Sequence, residues 1–355
     1  MQADGGEVFP GLAELIPRIV NAEPLTLEEA EAAFITVMEG RASPVQIAAL
    51  LVALRTAGES PVHVAGGVRA LRRAMIPIAA PADWSVVDTC GTGGGAFMTF
   101  NISTAAAFLA AGAGARIAKH GNRSFTSKCG SADVLSALGI QIELTPAQMA
   151  AVFERAGIVF MFAPLLHPAM RHVAPVRREL GMPTIMNLLG PLTNPAGARR
   201  QVIGVSHPRM LSLIAGALQQ LGHEHALVVH GAPGMDELSP IGPSEVIEVR
   251  NGEQHRYQFQ PALHFGDLDL DEEHLRGGEP AENARLVEDV LAGKRKGAAR
   301  LAVTLNAGAA LYVAGIAEDL LNGVQRAERA LTDGKGAAAL ARLRNTTREV
   351  LELPA

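Results

Sequence analysis

The chain has 355 residues, 48% hydrophobic and 19% charged, with a formal net charge of −5. That length favours two cores over one, and the composition excludes intrinsic disorder. No basic run exceeds Lys294-Arg295-Lys296, and aromatics make up only 4%, so neither a broad nucleic-acid or membrane surface nor recognition by ring stacking is expected. The opening MQADGGEVFP has neither the basic start nor the apolar run of a secretory leader, and no stretch of 18 apolar residues occurs, which predicts a cytoplasmic protein. Cys90 and Cys129 are too few for a disulfide framework and are expected to be reduced thiols.

In chain order, the first eighty residues predict helix after helix. Thr26 and Glu29 fit a capping box, and Ser43-Pro44 and Ser60-Pro61 place proline at the first helical position. From Ser85 short β-rich runs alternate with Ala/Leu-rich segments: Val86 to Asp88, Ala115 to Lys119, Ile158 to Phe162, Gln201 to Val205 and Ala226 to Val229. Such alternation predicts a mostly parallel central sheet flanked by helices. Asn251-Gly252 between two strand-like runs predicts a hairpin over residues 245–260. The rest, from Ala281, reads as further helices. The expected fold class is therefore α/β, a small all-helical domain plus a larger α/β domain, with a boundary near Pro81.

The chemistry concentrates between Asp88 and Asp133. Glycines at 91, 93, 94 and 95 follow a strand and would let backbone N–H groups approach an anion. Gly91, Gly93 and Ala96 also satisfy a dinucleotide-binding fingerprint. Against that reading, residues 97–101 intervene before the helix expected at Ser103 to Ala111, and the next strand ends in Lys119-His120 where a ribose-binding acid belongs. Asn101, Ser103 and Thr104 at a helix start, the run Lys119 to Arg123, and Ser124 to Ser131 add neutral donors and charge suited to a diphosphate. Singly, Lys119 or Arg123 is more often a solvated surface residue and Ser131 a simple helix cap. Asp236-Glu237, past another strand end, suits Mg²⁺ completed by water and phosphate oxygens, although an acidic dipeptide alone is usually just solvated. His120, His167 and His172 are not read as metal ligands, because the latter two are five residues apart in an expected helix.

The motifs GTGG, TFNIST, KHGNR, SKCGSADVL, FAPLLHPAMRHVAPVRREL, NLLGPLTNPAG and MDELS, in this order and spacing, closely resemble anthranilate phosphoribosyltransferases, and the match spans nearly the whole chain. The resemblance implies transfer of the phosphoribosyl unit of phosphoribosyl pyrophosphate (PRPP) to anthranilate, with Mg²⁺ required, two ions per subunit, and a homodimer formed through the helical domain. It implies domains of residues 1–82, with a helical return near 168–198, and of 83–167 with 199–355. By matched positions it places PRPP on Gly91, Gly94, Gly95, Thr99, Asn101, Ile102, Ser103, Thr104, Lys119, His120, Gly121, Asn122, Arg123, Ser124, Phe125, Thr126, Ser127 and Ser131. One Mg²⁺ falls to Ser103 and Glu237, a second to Asp236 and Glu237, and anthranilate to Gly91, Asn122 and Arg177, with Arg178 the competitor for Arg177.

Three positions depart from the family pattern: Gly95 stands where an aspartate is usual, Cys129 where a serine is, and Ile241 where a threonine is. A non-catalytic binding protein of the same fold and a pyrimidine nucleoside phosphorylase are the alternatives; Gly95 with Cys129 is the support for the first, while KHGNR and HPAMRHVAPVRR speak against the second.

Overall fold

The computed structural model describes residues 10–124, 128–266 and 270–352. The chain divides into two compact units, one formed by residues up to Met75 with His167–Thr193, the other by Ile76–Leu166 with Asn194 onward.

The first unit opens with helices Leu12–Val20, Leu27–Met38, Pro44–Ala57 and Pro61–Ala74. The last three start as their sequences predict: the Thr26, Ser43 and Ser60 hydroxyls each accept the backbone N–H three residues on, and the side chains of Glu29, Gln46 and His63 reach back to the cap. Each such reciprocal cap satisfies two N–H groups the helix cannot satisfy itself. Leu50, Leu51, Phe34 and Val64 fill the interior behind these starts. The returning segment is not the single helix expected around His167 and His172. A 3₁₀ turn, Pro168–His172, is followed by a short helix, Ala174–Leu180, because Pro168 and Pro175 each lack the N–H a continuous helix needs.

The second unit is built on seven strands: β1 (Val86–Gly91), β2 (Arg116–Gly121), β3 (Ile158–Phe162), β4 (Arg200–Gly204), β5 (His225–Gly231), β6 (Ser244–Arg250) and β7 (Glu253–Phe259), in the order β3-β2-β1-β4-β5-β6-β7. The first five pair in parallel, and β6 and β7 are added antiparallel. Asn251 (φ 52°) and Gly252 (φ 83°) make the predicted turn between them. Helix Ile102–Gly112 is buried along almost its whole length. It packs on helices Gly297–Val313 and Lys335–Glu352, its alanines allowing close approach, and truncating a wholly buried Phe108 there would cost roughly 3–5 kcal/mol. No helix among the described residues is long and apolar enough to cross a membrane.

Strand order reverses between β1 and β4: the chain proceeds from β1 outward to β3, then returns to β1's other side. Open parallel sheets form their binding crevice at the carboxyl ends of strands beside such a switch point. The glycine run follows β1 at that place.

Candidate active site

Gly93 and Gly94 have φ of 66° and 76°, a backbone that side-chain-bearing residues rarely adopt. Gly95 is not so constrained. A Cβ added there would lie 3.0 Å from the Gly234 carbonyl and 3.4 Å from Asp236 Oδ1, so the family's usual aspartate would add an acid beside Asp236.

The β5 end supplies the carboxylates. Asp236 Oδ2 accepts the Gly93 N–H at 3.2 Å, and Glu237 Oε1 accepts the Thr99 hydroxyl at 3.3 Å. Burial raises the pKa of Asp236; burial and then the Asp236 charge push Glu237 well above the usual carboxylate range. Glu237 Oε2 is buried with no hydrogen-bond partner among the described residues. A small cavity is lined by Thr89, Ser103, Asp236, Glu237 and Asn306. A buried carboxylate oxygen left unpartnered is destabilising unless a cation or donor arrives, so the donor set fits Mg²⁺. Among the described residues no group of three or more His, Cys, Asp or Glu side chains is placed to hold a metal. Mg²⁺ commonly takes one or two carboxylates and completes its shell with water and phosphate oxygens.

The β2 end supplies the cation. Lys119 is buried, its Nζ donating to the Thr89 carbonyl and, at 3.3 Å, to Ser103 Oγ. Burial lowers its pKa, while Asp88, Glu237 and Asp236 act to raise it. Beyond it, Ser131 Oγ donates to the Asn122 carbonyl at 3.3 Å, and Asn122 Oδ1 accepts the Arg123 N–H at 2.7 Å. The Arg123 guanidinium pairs with Asp133 at 2.9 Å; the other oxygen of that carboxylate accepts from Ser124 N and Gly130 N. Gly121 closes β2, and Gly91 closes β1 with its Cα facing Asp236. Gly94 projects into solvent. Ile102 and Thr104 are buried with N–H groups bonded to the Phe100 and Asn101 carbonyls. Phe125, Thr126 and Ser127 lie outside the described residues. Arg177 belongs to the helical unit, where its guanidinium donates to Asn187 Oδ1 at 3.3 Å and burial lowers its pKa.

Several supporting residues are not among the site residues expected from the sequence. Asp88, fully buried and with its pKa raised by burial to about 6, accepts His120 N at 3.2 Å and Asn194 Nδ2 at 2.8 Å. Asn194 also donates to the Ala118 carbonyl, so together they fix the strand from which Lys119 projects. Asn306 donates to the Leu238 carbonyl and accepts its N–H, both at 3.0 Å, holding the chain just past Glu237. A polar residue inside an otherwise apolar helix is the available signal for Asn306.

A positive-φ glycine turn after β1, a buried ammonium and paired carboxylates beside it suit a transferase that handles a phosphorylated substrate. Both units match that class: the helical bundle domain of a glycosyl transferase family over residues 13–75, and its a/b domain over 83–337. An anthranilate phosphoribosyltransferase of Rubrobacter xylanophilus is 52% identical over 339 residues, 96% of this chain and 98% of its own. That of Roseiflexus castenholzii is 49% identical over 332 residues, 94% of this chain and 97% of its own. The crystal structure of the Thermus thermophilus enzyme matches with a TM-score of 0.87 at 44% identity, covering 94% of this chain and 99% of its own. The Saccharomyces cerevisiae enzyme, solved with PRPP and Mg, matches with a TM-score of 0.84 at 25% identity, covering 95% and 98%. The chain belongs to the anthranilate phosphoribosyltransferase family.

Proposed function

We propose that the chain transfers the phosphoribosyl group of PRPP to the amine of anthranilate, giving N-(5-phosphoribosyl)anthranilate and pyrophosphate, the second step of tryptophan synthesis from chorismate. The observation that carries this reading is the Asp236–Glu237 pair, Asp236 half-buried and Glu237 buried, set against the glycine loop with one Glu237 oxygen lacking a hydrogen-bond partner among the described residues. Displacement at the anomeric carbon builds positive charge on the sugar and negative charge on the leaving pyrophosphate, and fixed donors and cations stabilise both. Ser103 with Glu237, and Asp236 with Glu237, would hold Mg²⁺, which when bound would supply charge to neutralise the pyrophosphate. The chain's own part is to hold PRPP, through the Gly91 to Thr104 loop and the Lys119 to Ser131 run. Anthranilate lies against Gly91, and Asn122 accepts from its amine, orienting the nitrogen. No covalent nucleophile is needed.

The same reading gives a cytoplasmic homodimer formed through the helical unit. Val45 (78% exposed) and Val52 (37%) support it, lying seven residues apart on helix Pro44–Ala57 and therefore on one face. The deciding measurement is anthranilate fluorescence: purified protein with PRPP, Mg²⁺ and anthranilate consumes it, and an unchanged signal refutes the activity. Sedimentation at the mass of one chain would refute the dimer.

A further inference from the structure

Asn101 opens helix Ile102–Gly112, yet its side chain makes no cap to that helix, although asparagine is among the strongest N-caps. It is engaged elsewhere. Its Nδ2 donates to the Cys129 carbonyl at 3.3 Å, and its Oδ1 accepts from Asn283 Nδ2 at 2.9 Å and faces the Cys129 thiol at 3.3 Å. Asn283 is 2% exposed and comes from helix Pro280–Leu291.

The amide orientations follow from a fixed end. Asn283 Oδ1 accepts the backbone N–H of Gly278 at 2.7 Å, and a backbone N–H can only donate. Asn283 must therefore turn its NH₂ towards Asn101, which turns its own oxygen to meet it and its NH₂ towards the Cys129 carbonyl. The ordered chain Gly278 to Asn283 to Asn101 to Cys129 ties together segments far apart in sequence.

The segment before Asn283 also straps the same loop through its backbone. Phe100 N donates to the Leu275 carbonyl at 2.8 Å, Gly277 N donates to the Met98 carbonyl at 3.2 Å, and Thr99 bridges to Arg276. A Cβ on Gly277 would strike the Thr99 carbonyl, so only glycine allows the strap to lie this close.

We propose that Asn283 is a positioning residue for PRPP: it holds the Asn101 side chain away from its own helix start and against Cys129, and with the Leu275 to Gly278 strap sets the Thr99 to Ser103 backbone for the pyrophosphate. This rests on the assignment of PRPP to that loop. Asn283 does not touch substrate. Without it, Asn101 is released to cap its own first turn, competing with a phosphate for the positive end of the helix.

Asn283→Asp tests the direction of the chain. A carboxylate can still accept from Gly278 but cannot donate to Asn101, whose amide must then flip and set its oxygen against the Cys129 carbonyl. In the full-length protein with Mg²⁺, Asn283→Asp is expected to raise the KM for PRPP about tenfold, as loss of a buried hydrogen bond would. Inhibition by inorganic pyrophosphate should weaken in step, with the KM for anthranilate within about twofold. An unchanged KM for PRPP, or an equal rise for both substrates, overturns the inference. Gly277→Ala, which keeps Asn283 and displaces the strap, is expected to give the same split and decides the matter if Asn283→Asp does not fold; its silence overturns the strap. Asn101→Ala separates this from the reading beneath it. If that variant binds PRPP as well as the unaltered chain, the loop assignment fails; if it binds weakly while Asn283→Asp and Gly277→Ala are silent, only the role of Asn283 falls.

Discussion

The helix starts of the N-terminal unit and the carboxyl edge of the sheet solve the same problem, buried or half-buried polar groups, in opposite ways. At Thr26, Ser43 and Ser60 the partner is three residues away and the satisfaction is reciprocal. At the sheet edge Thr99 and Glu237 are 138 residues apart, Gly93 and Asp236 143, and Asn101 and Asn283 182, and one Glu237 oxygen has no hydrogen-bond partner among the described residues. The first arrangement stabilises its helix before any tertiary contact forms. The second exists only in the folded chain and is left incomplete, which is the pattern expected where a fold gives up stability to bind something charged.

The sharpest way to break this contrast is to remove the incomplete carboxylate. Glu237→Gln is expected to lower kcat/KM by about 10²-fold or more without lowering the melting temperature, since it withdraws an acid whose charged form burial already disfavours. A fall in melting temperature with activity retained would make Glu237 a structural residue. Asp236→Asn should lose more turnover at low Mg²⁺ than at saturating Mg²⁺, and an equal loss at both would remove its metal role.

A second test falls on the helical unit, where two histidines are buried neutral. Burial lowers the pKa of His63, and lowers that of His167 to about 4; His63 Nδ1 also accepts the Ser60 N–H, which a protonated ring cannot do. Below the ordinary value of 6.5 the unfolded chain binds protons that the folded unit refuses, so stability falls with pH through that window and levels off near pH 4 for His167. The His167 contribution is roughly 3 kcal/mol at its limit. Melting curves between pH 7 and pH 4.5 should show the decline, and His167→Leu should flatten it; an unflattened decline would place the acid sensitivity elsewhere.

How far the sequence can be read follows the same division. The strands of the parallel sheet and the Asn251-Gly252 hairpin are legible because period, composition and turn chemistry are local. So are the glycine loop, Lys119 and Asp236-Glu237 as candidates, since each sits at a strand end. The helix expected to hold His167 and His172 is instead a 3₁₀ turn followed by a short helix, because Pro168 and Pro175 interrupt it. Asp88, Asn283 and Asn306 are not legible as site residues, and Asn194 is marked only as part of the NLLGPLTNPAG motif: each acts through a partner far away in sequence, which no local periodicity marks.

Two smaller effects sharpen the comparison at its ends. Thr26→Ala removes one half of a local cap and is expected to cost about 1 kcal/mol, read as a lower midpoint in urea with both KM values unchanged; a change in either KM would mean that the cap is not merely local.

Gly95→Asp should act in the reverse sense. Its backbone needs no glycine, and the new side chain would begin 3.4 Å from Asp236 Oδ1, adding a third acid to a pair whose charges burial already disfavours. Without Mg²⁺ that repulsion destabilises the site. With Mg²⁺, the added carboxylate offers another oxygen ligand, so the Mg²⁺ concentration for half-maximal turnover should fall a few-fold while the metal-free protein melts slightly lower. If neither quantity moves, the carboxylate at position 95 points away from the cation, and Gly95 is a neutral departure from the family pattern.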